Sequence, residues 1–233
     1  MSRPNVFAHR GASADRFENT MPAFEKALAQ GANGIELDVQ VTEDGVPIVI
    51  HDPDLARLAG IRQPISSMTS QEIANVRVGK KISRLFHGHR IPTLLEAVTF
   101  SEQHGLILNI ELKETVSEHP ETIKQIVDIA TLLDNFHFSS FDYNLLEKIK
   151  ELDATIETAY LLRKKGVDWD HLEQYVHADS FHVSKKFLKE PYLSKLIQSG
   201  KKIRVYGMTG QEDMANNPPP YIAGWITDYP DRF

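Results

Sequence analysis

The sequence contains no cysteine, so disulfide bridges, thiolate metal sites and cysteine nucleophiles are all excluded. It has no apolar run approaching the ~20 residues that a membrane-spanning helix needs. It also lacks a long basic block. Arg163-Lys164-Lys165 and Lys185-Lys186 are short and read as solvated surface, and a formal charge of -6 does not suggest a nucleic-acid partner. No apolar signal region precedes the first strand-like run, which follows directly on Met1-Ser2-Arg3-Pro4-Asn5. The expectation is a protein without stable membrane insertion that works in the cytoplasm.

What is present is a regular alternation. The 233 residues are 41% hydrophobic, enough for one substantial core. Strands are expected at 6–8, 34–41, 106–112, 136–139, 155–161, 180–183, 202–206 and 224–227. Helices are expected between them, at 21–30, 94–103, 120–132, 143–152, 169–175, 191–199 and 211–215. Asn19-Thr20 ahead of Pro22, and Asp142 ahead of Tyr143, are candidate helix caps, while Gly31, Gly105 and Gly200 stand where helices should stop.

Eight strands alternating with helices require a parallel sheet, and eight is the number that closes a barrel. A doubly wound open sheet is the competing layout, but no Gly-x-Gly-x-x-Gly follows the first strand. The expected fold is therefore α/β, a (β/α)8 TIM barrel spanning 1–233 as a single domain. Residues 52–91 break the rhythm with Pro53, Pro64 and one short helical pattern at 70–76. They read as a small insertion after strand two, near the barrel mouth. A short extra strand at 47–51 leads into it after the Glu43-Asp44-Gly45 turn.

Two charged tripeptides sit inside strand-like runs: Glu36-Leu37-Asp38 and Glu111-Leu112-Lys113. Side chains two apart on a strand share a face. Glu36 and Asp38 therefore point together, as do Glu111 and Lys113. Ionisable groups on interior strands are costly unless compensated. A divalent cation for the carboxylates and a substrate anion for the lysine would compensate them together. Glu111 and Lys113 can also simply pair with each other. His9-Arg10-Gly11 stands directly after the first strand, and His51-Asp52 closes the short strand before the insertion. In a barrel of this class, functional residues lie at the C-terminal strand ends.

The strings Ala8-His9-Arg10-Gly11-Ala12, Glu18-Asn19-Thr20, Gly34-Ile35-Glu36-Leu37-Asp38-Val39, Thr42-Glu43-Asp44-Gly45 and His51-Asp52 resemble those of glycerophosphodiester phosphodiesterases. Ile91-Pro92-Thr93-Leu94, Glu111-Leu112-Lys113 and Thr227-Asp228-Tyr229-Pro230 continue the likeness down the chain. The resemblance implies a barrel hydrolase that cleaves small-molecule glycerophosphodiesters to glycerol 3-phosphate and an alcohol. It implies His9 and His51 as the acid–base pair, Glu36, Asp38 and Glu111 as metal ligands, and Arg10 and Lys113 as phosphate contacts. The oxygen ligands suit Mg²⁺ or Ca²⁺.

The chemistry of those residue types agrees. A cation held by carboxylates can neutralise a phosphodiester, an arginine fork and a lysine can engage its oxygens, and two histidines can divide the proton transfers. Asn19 is expected to cap the first helix and Glu18 to lie at the mouth. His87 and His89 are expected in a solvated loop. Tyr206 stands where the family usually has tryptophan, which opens the question of alcohol preference. A phospholipase would need an apolar mouth; Ile61, Ile65, Leu85 and Phe86 are too scattered to supply one.

Overall fold

In the computed structural model, which describes residues 3–80 and 88–233, nine strands form one sheet. They are β1 (Asn5–His9), β2 (Gly34–Val41), β3 (Pro47–Val49), β4 (Ile107–Leu112), β5 (Phe136–Ser140), β6 (Thr158–Leu161), β7 (Ser180–Ser184), β8 (Lys202–Met208) and β9 (Ile222–Thr227). Eight run parallel in the order β1-β9-β8-β7-β6-β5-β4-β2, and β1 pairs with β2 to close the ring. This is the expected TIM barrel. The extra strand β3 is shorter than its sequence suggested, and lies antiparallel on the outer end of β2 with Val39 opposite Val49.

Helices fill the connections: α1 (Met21–Ala29), α2 (Ala56–Ala59), α3 (Ser70–Asn75), α4 (Leu94–His104), α5 (Glu114–Glu118), α6 (Ile123–Ala130), α7 (Tyr143–Leu152), α8 (Tyr192–Gln198) and α9 (Asp213–Asn216). Strand alternation divides the barrel wall. Ile35, Leu37 and Val39 of β2 join Leu108, Ile110 and Leu112 of β4 in a buried layer against Phe24 and Ala27 of α1, Leu94 and Val98 of α4, and Ile126 of α6. Each such side chain is worth roughly 1.5–3 kcal/mol on burial. That apolar outer layer is what allows Glu36, Asp38 and Glu111 to be turned inward without loss of the fold.

Local chemistry sets the ends of the elements. Thr93 and Glu96 form a reciprocal capping box on α4, which stops at Gly105 in the left-handed conformation (φ 65°). Asp142 caps α7 as expected, accepting from the Asn144 amide at 3.1 Å. Several expected elements are shorter. The run 120–132 opens as a 3-10 turn at Pro120–Thr122 before α6 begins. The start of the 155–161 run is held in a turn, because the Asp153 carboxylate accepts from both the amide and hydroxyl of Thr155. The 169–175 segment yields only a 3-10 turn, Leu172–Gln174. There Trp169 and Tyr175 are committed to aromatic packing, against Phe187 and Tyr192 and against Tyr143 and Tyr160 respectively.

The insertion has an apolar cluster of its own. Leu55, Leu58, Ile65, Met68, Ile73, Val76 and Val78 form a separate apolar cluster with Ile48, Ile50 and Ile91. Ile65 is thus buried, and Ile61 is 39% exposed. Leu85, Phe86 and His87 lie outside the described residues. His89 is part-buried, its ring stacked on Phe17 at 6.4 Å. No helix among the described residues is long and apolar enough to cross a membrane.

Candidate active site

Parallel register brings the acids together. β2 lies between β1 and β4, with Glu36 beside His9 on one flank and Asp38 beside Glu111 on the other. One carboxylate oxygen from each of Glu36, Asp38 and Glu111 falls within 4.8 Å of the others. All three are buried. Lys113 reaches back over this group, with Nζ 2.7 Å from Glu111 Oε1 and 3.3 Å from Asp38 Oδ1. Arg10 Nε lies 3.0 Å from Asp38 Oδ2, an ion pair without hydrogen-bond alignment.

The charges do not balance evenly. Burial would raise the Asp38 carboxyl, but Lys113 and Arg10 outweigh it and hold the group below its ordinary range. Glu36 receives the Arg10 amide at 3.0 Å and has His9 Nε2 at 3.9 Å, with no lysine or arginine side chain among the described residues in direct contact. Burial first, and then the neighbouring Asp38 charge, push it up to about 8. Glu111 is also raised, by burial and by Asp38. Among the described residues Asp38 Oδ1 has the Lys113 ion pair and no hydrogen-bond donor. Under-neutralised, buried, all-oxygen donors are what a hard divalent cation requires, so the three acids fit Mg²⁺ or Ca²⁺.

Both histidines are held in the same way. His9 Nδ1 lies 2.7 Å from Asp228 Oδ1, and His51 Nδ1 lies 2.7 Å from Asp52 Oδ1. With a carboxylate on Nδ1, the proton of a neutral ring sits there, so Nε2 is the free acceptor. Burial would lower the His9 imidazole, but Glu36 and the Asp228 hydrogen bond outweigh it and raise it. Asp52 is in turn gripped by Arg57, through Nε at 2.6 Å and Nη2 at 3.0 Å, and falls to about 2. Arg57 also takes Glu18 in a two-pronged contact, and Glu18 accepts from Arg10 at 2.8 Å. A continuous run of charge-assisted contacts therefore links His51 to Asp38 through the insertion.

A cavity of about 220 Å³ opens above the acids. His9, Arg10, Glu36, His51, Glu111 and Lys113 all line it, and its far wall is Phe141, Leu161, Tyr206 and Ile226. Asp38 lies beneath at 1% exposure.

Residues 9–232 match the profile of the glycerophosphoryl diester phosphodiesterase family. The chain belongs to that family. A glycerophosphodiester phosphodiesterase of Caldanaerobacter subterraneus is 30% identical over 229 residues, covering 97% of this chain and 94% of the relative. One from Bacillus altitudinis is 30% identical over 233 residues, covering 97% and 95%. Among solved structures, an Oleispira antarctica phosphodiesterase in complex with the product sn-glycerol-3-phosphate superimposes with a TM-score of 0.86 at 28% identity, covering 99% of this chain and 95% of that one. A glycerophosphodiester phosphodiesterase of Thermotoga maritima gives 0.79 at 31%, covering 99% and 97%.

Within this family member, the structure gathers every residue that the two tripeptides and two histidine motifs nominated. It moves one other. Asn19 does not cap α1: Thr20 occupies the cap position, and Asn19 is buried at φ 54° with Nδ2 donating to Asp38 Oδ2 at 2.8 Å. Glu18 joins Arg10 to Arg57. Arg163 is exposed, as expected of its short basic run, and its guanidinium lies over the Phe141 ring, 4.0 Å from the centroid. Asp228 and Arg57 carried no residue-level signal beyond their motif or loop. Only the closed barrel places the first against His9.

Proposed function

We propose that this chain is a metal-dependent hydrolase of glycerophosphodiesters, such as glycerophosphocholine or glycerophosphoethanolamine, yielding sn-glycerol 3-phosphate and an alcohol. The observation that carries the reading is three buried, under-neutralised carboxylates beneath a cavity flanked by two histidines whose Nδ1 atoms are both fixed by carboxylates. In this proposal residues 1–233 act as one cytoplasmic domain, the 52–91 insertion serving the site through Arg57.

Glu36, Asp38 and Glu111 would hold Mg²⁺ or Ca²⁺, which supplies charge neutralisation to the phosphoryl group and orients the attacking oxygen. Arg10 and Lys113 line the same cavity and offer a planar fork and a point charge to phosphate oxygens. His9 and His51 each present a free Nε2. One accepts the proton of the attacking oxygen while the other, protonated, donates to the departing alkoxide. Each such transfer typically contributes ~10²–10⁴ in rate. Asp228 and Asp52 keep each ring in register through their contacts at Nδ1.

The test is a panel of soluble glycerophosphodiesters assayed after metal stripping, with Mg²⁺, Ca²⁺ and Mn²⁺ restored separately. Activity lost on stripping and recovered with one of these ions supports the proposal. Full activity in excess chelator defeats its metal-dependent part.

A further inference from the structure

Strand β8 ends in a break of register that decides what faces the catalytic cavity. Arg204 and Tyr206 stand two apart and point into the barrel, Arg204 to the Ser180 hydroxyl at 2.9 Å and Tyr206 to the cavity one layer nearer the mouth. Ile203 and Val205 point the other way, into the outer core. The pairing with β9 then shifts between Tyr206 and Met208, where Gly207 takes φ 79°. A bulge re-aims the side chain that follows it. Met208 accordingly joins Val205 and Trp225 in the outer core, and Tyr206 is the last inward side chain of β8.

Tyr206 faces the catalytic groups across the chamber. Those groups come from β1, β2, β4 and the chain just after β3, and the wall opposite them is Phe141, Leu161, Ile226 and Tyr206. Among the described residues the Tyr206 hydroxyl makes no hydrogen bond, and it is the polar group of that wall. Asn109 and His182 also border the chamber, but one layer deeper, at 1% and 0% exposure, out of reach of a ligand. Burial, and then the Glu111 carboxylate, raise the phenol, so it is a neutral group able to donate or accept.

A second space adjoins the chamber. This groove of about 370 Å³ shares Glu111, Lys113 and Phe141 with it, is not lined by Tyr206, and runs out to solvent between the exposed Glu114, Ser117, Glu118 and Arg163. A diester held at the two histidines has two arms. The alcohol varies in size and suits the groove. The glycerol is constant and suits the chamber, where the apolar wall meets its C–H faces. Its middle hydroxyl stays beside the phosphorus, on the side of the acids. The terminal hydroxyl, one carbon further, reaches the opposite wall.

We propose that Tyr206 determines specificity for the glycerol arm, its hydroxyl hydrogen-bonding the terminal glycerol hydroxyl and so selecting glycerol diesters over diesters that carry a methyl group there. This deepens the phosphodiesterase reading above and rests on it. A methyl in that position leaves the phenol enclosed without a partner, which is how a polar site rejects an apolar analogue.

The experiment compares kcat/KM for two diesters of ethanolamine in the wild type and Y206F. One carries glycerol. The other carries propane-1,2-diol, in the enantiomer that keeps the middle hydroxyl of sn-glycerol 3-phosphate and has a methyl in place of the terminal hydroxymethyl. The wild type should prefer the glycerol diester by about tenfold, the usual scale of one neutral hydrogen bond. In Y206F, which keeps the ring and removes the oxygen, the preference should fall to near one through loss on the glycerol diester alone. No preference in the wild type, or a preference that survives in Y206F, overturns this proposal alone. No turnover of either diester by the wild type, with Mg²⁺, Ca²⁺ and Mn²⁺ each supplied, removes the hydrolase reading and this proposal with it.

Discussion

Replacement of Asn19 separates two roles that a single buried side chain combines. Its amide donates to Asp38 at 2.8 Å, and its backbone sits at φ 54°, a conformation that L-residues with a β-carbon adopt at a cost of about 1–2 kcal/mol and that asparagine tolerates better than most. A hydrogen bond to a charged group contributes about 1.5–3 kcal/mol, and its loss leaves a buried carboxylate with one donor fewer. N19A loses the bond and keeps the strained backbone, so it should destabilise the metal-free protein by about 3–4 kcal/mol. N19G loses the bond but relaxes the backbone, part of that gain being offset by the entropy of glycine in the unfolded chain. It should be about 1 kcal/mol milder. Both should weaken divalent-cation affinity by about 10–100-fold, the usual cost of losing a group that orients a ligand. Urea unfolding in chelator measures the first quantity and calorimetric titration with Mg²⁺ or Ca²⁺ the second. Wild-type cation affinity in both variants would refute the claim that Asn19 orients Asp38 for a metal.

His9→Ala should lower turnover by about 10²–10⁴ with cation binding nearly unchanged, read by single-substrate kinetics beside calorimetry. D228N should shift the pH–rate limb belonging to His9 downward, since Asp228 helps to raise that imidazole; a limb that stays in place argues against the contact. R57A, which frees both Asp52 and Glu18, should reduce kcat more than it raises KM, as expected if its work is to hold His51. The Glu36 carboxyl titrates at about 8 when folded, above its ordinary 4.5. Such a group contributes stability that is present below 4.5 and is lost as pH rises toward 8. Thermal melts of the metal-free protein should therefore fall over that window, by on the order of a few kcal/mol from this group. Saturating cation should flatten the fall, because bound metal displaces the proton.

The barrel was legible because its signal is periodic. Outward leucines and isoleucines on β2 and β4 alternate with inward acids, and capping residues such as Thr93 and Asp142 act within a few positions of themselves. The acids and histidines were legible because each stands in a short motif on a strand or just after one. What the sequence could not display depends on closure. Asp228 meets His9 across 219 positions, and Arg57 reaches Glu18 across 39. Asn19 has the composition of a cap, and only the geometry of the β1–α1 loop turns it inward. The 169–175 segment has the spacing of a helix, but aromatic packing between Trp169, Phe187 and Tyr192 prevailed over local propensity. The core of the insertion was not legible, because its apolar residues are spread too widely along the chain to show a period and yet converge in three dimensions.

The most direct measurement is a crystal structure of the protein grown with Mg²⁺ or Ca²⁺ and sn-glycerol 3-phosphate. The account requires the ion on oxygens of Glu36, Asp38 and Glu111, with the phosphorus between the Nε2 atoms of His9 and His51. An ion bound elsewhere, or a phosphate remote from either imidazole, would contradict it.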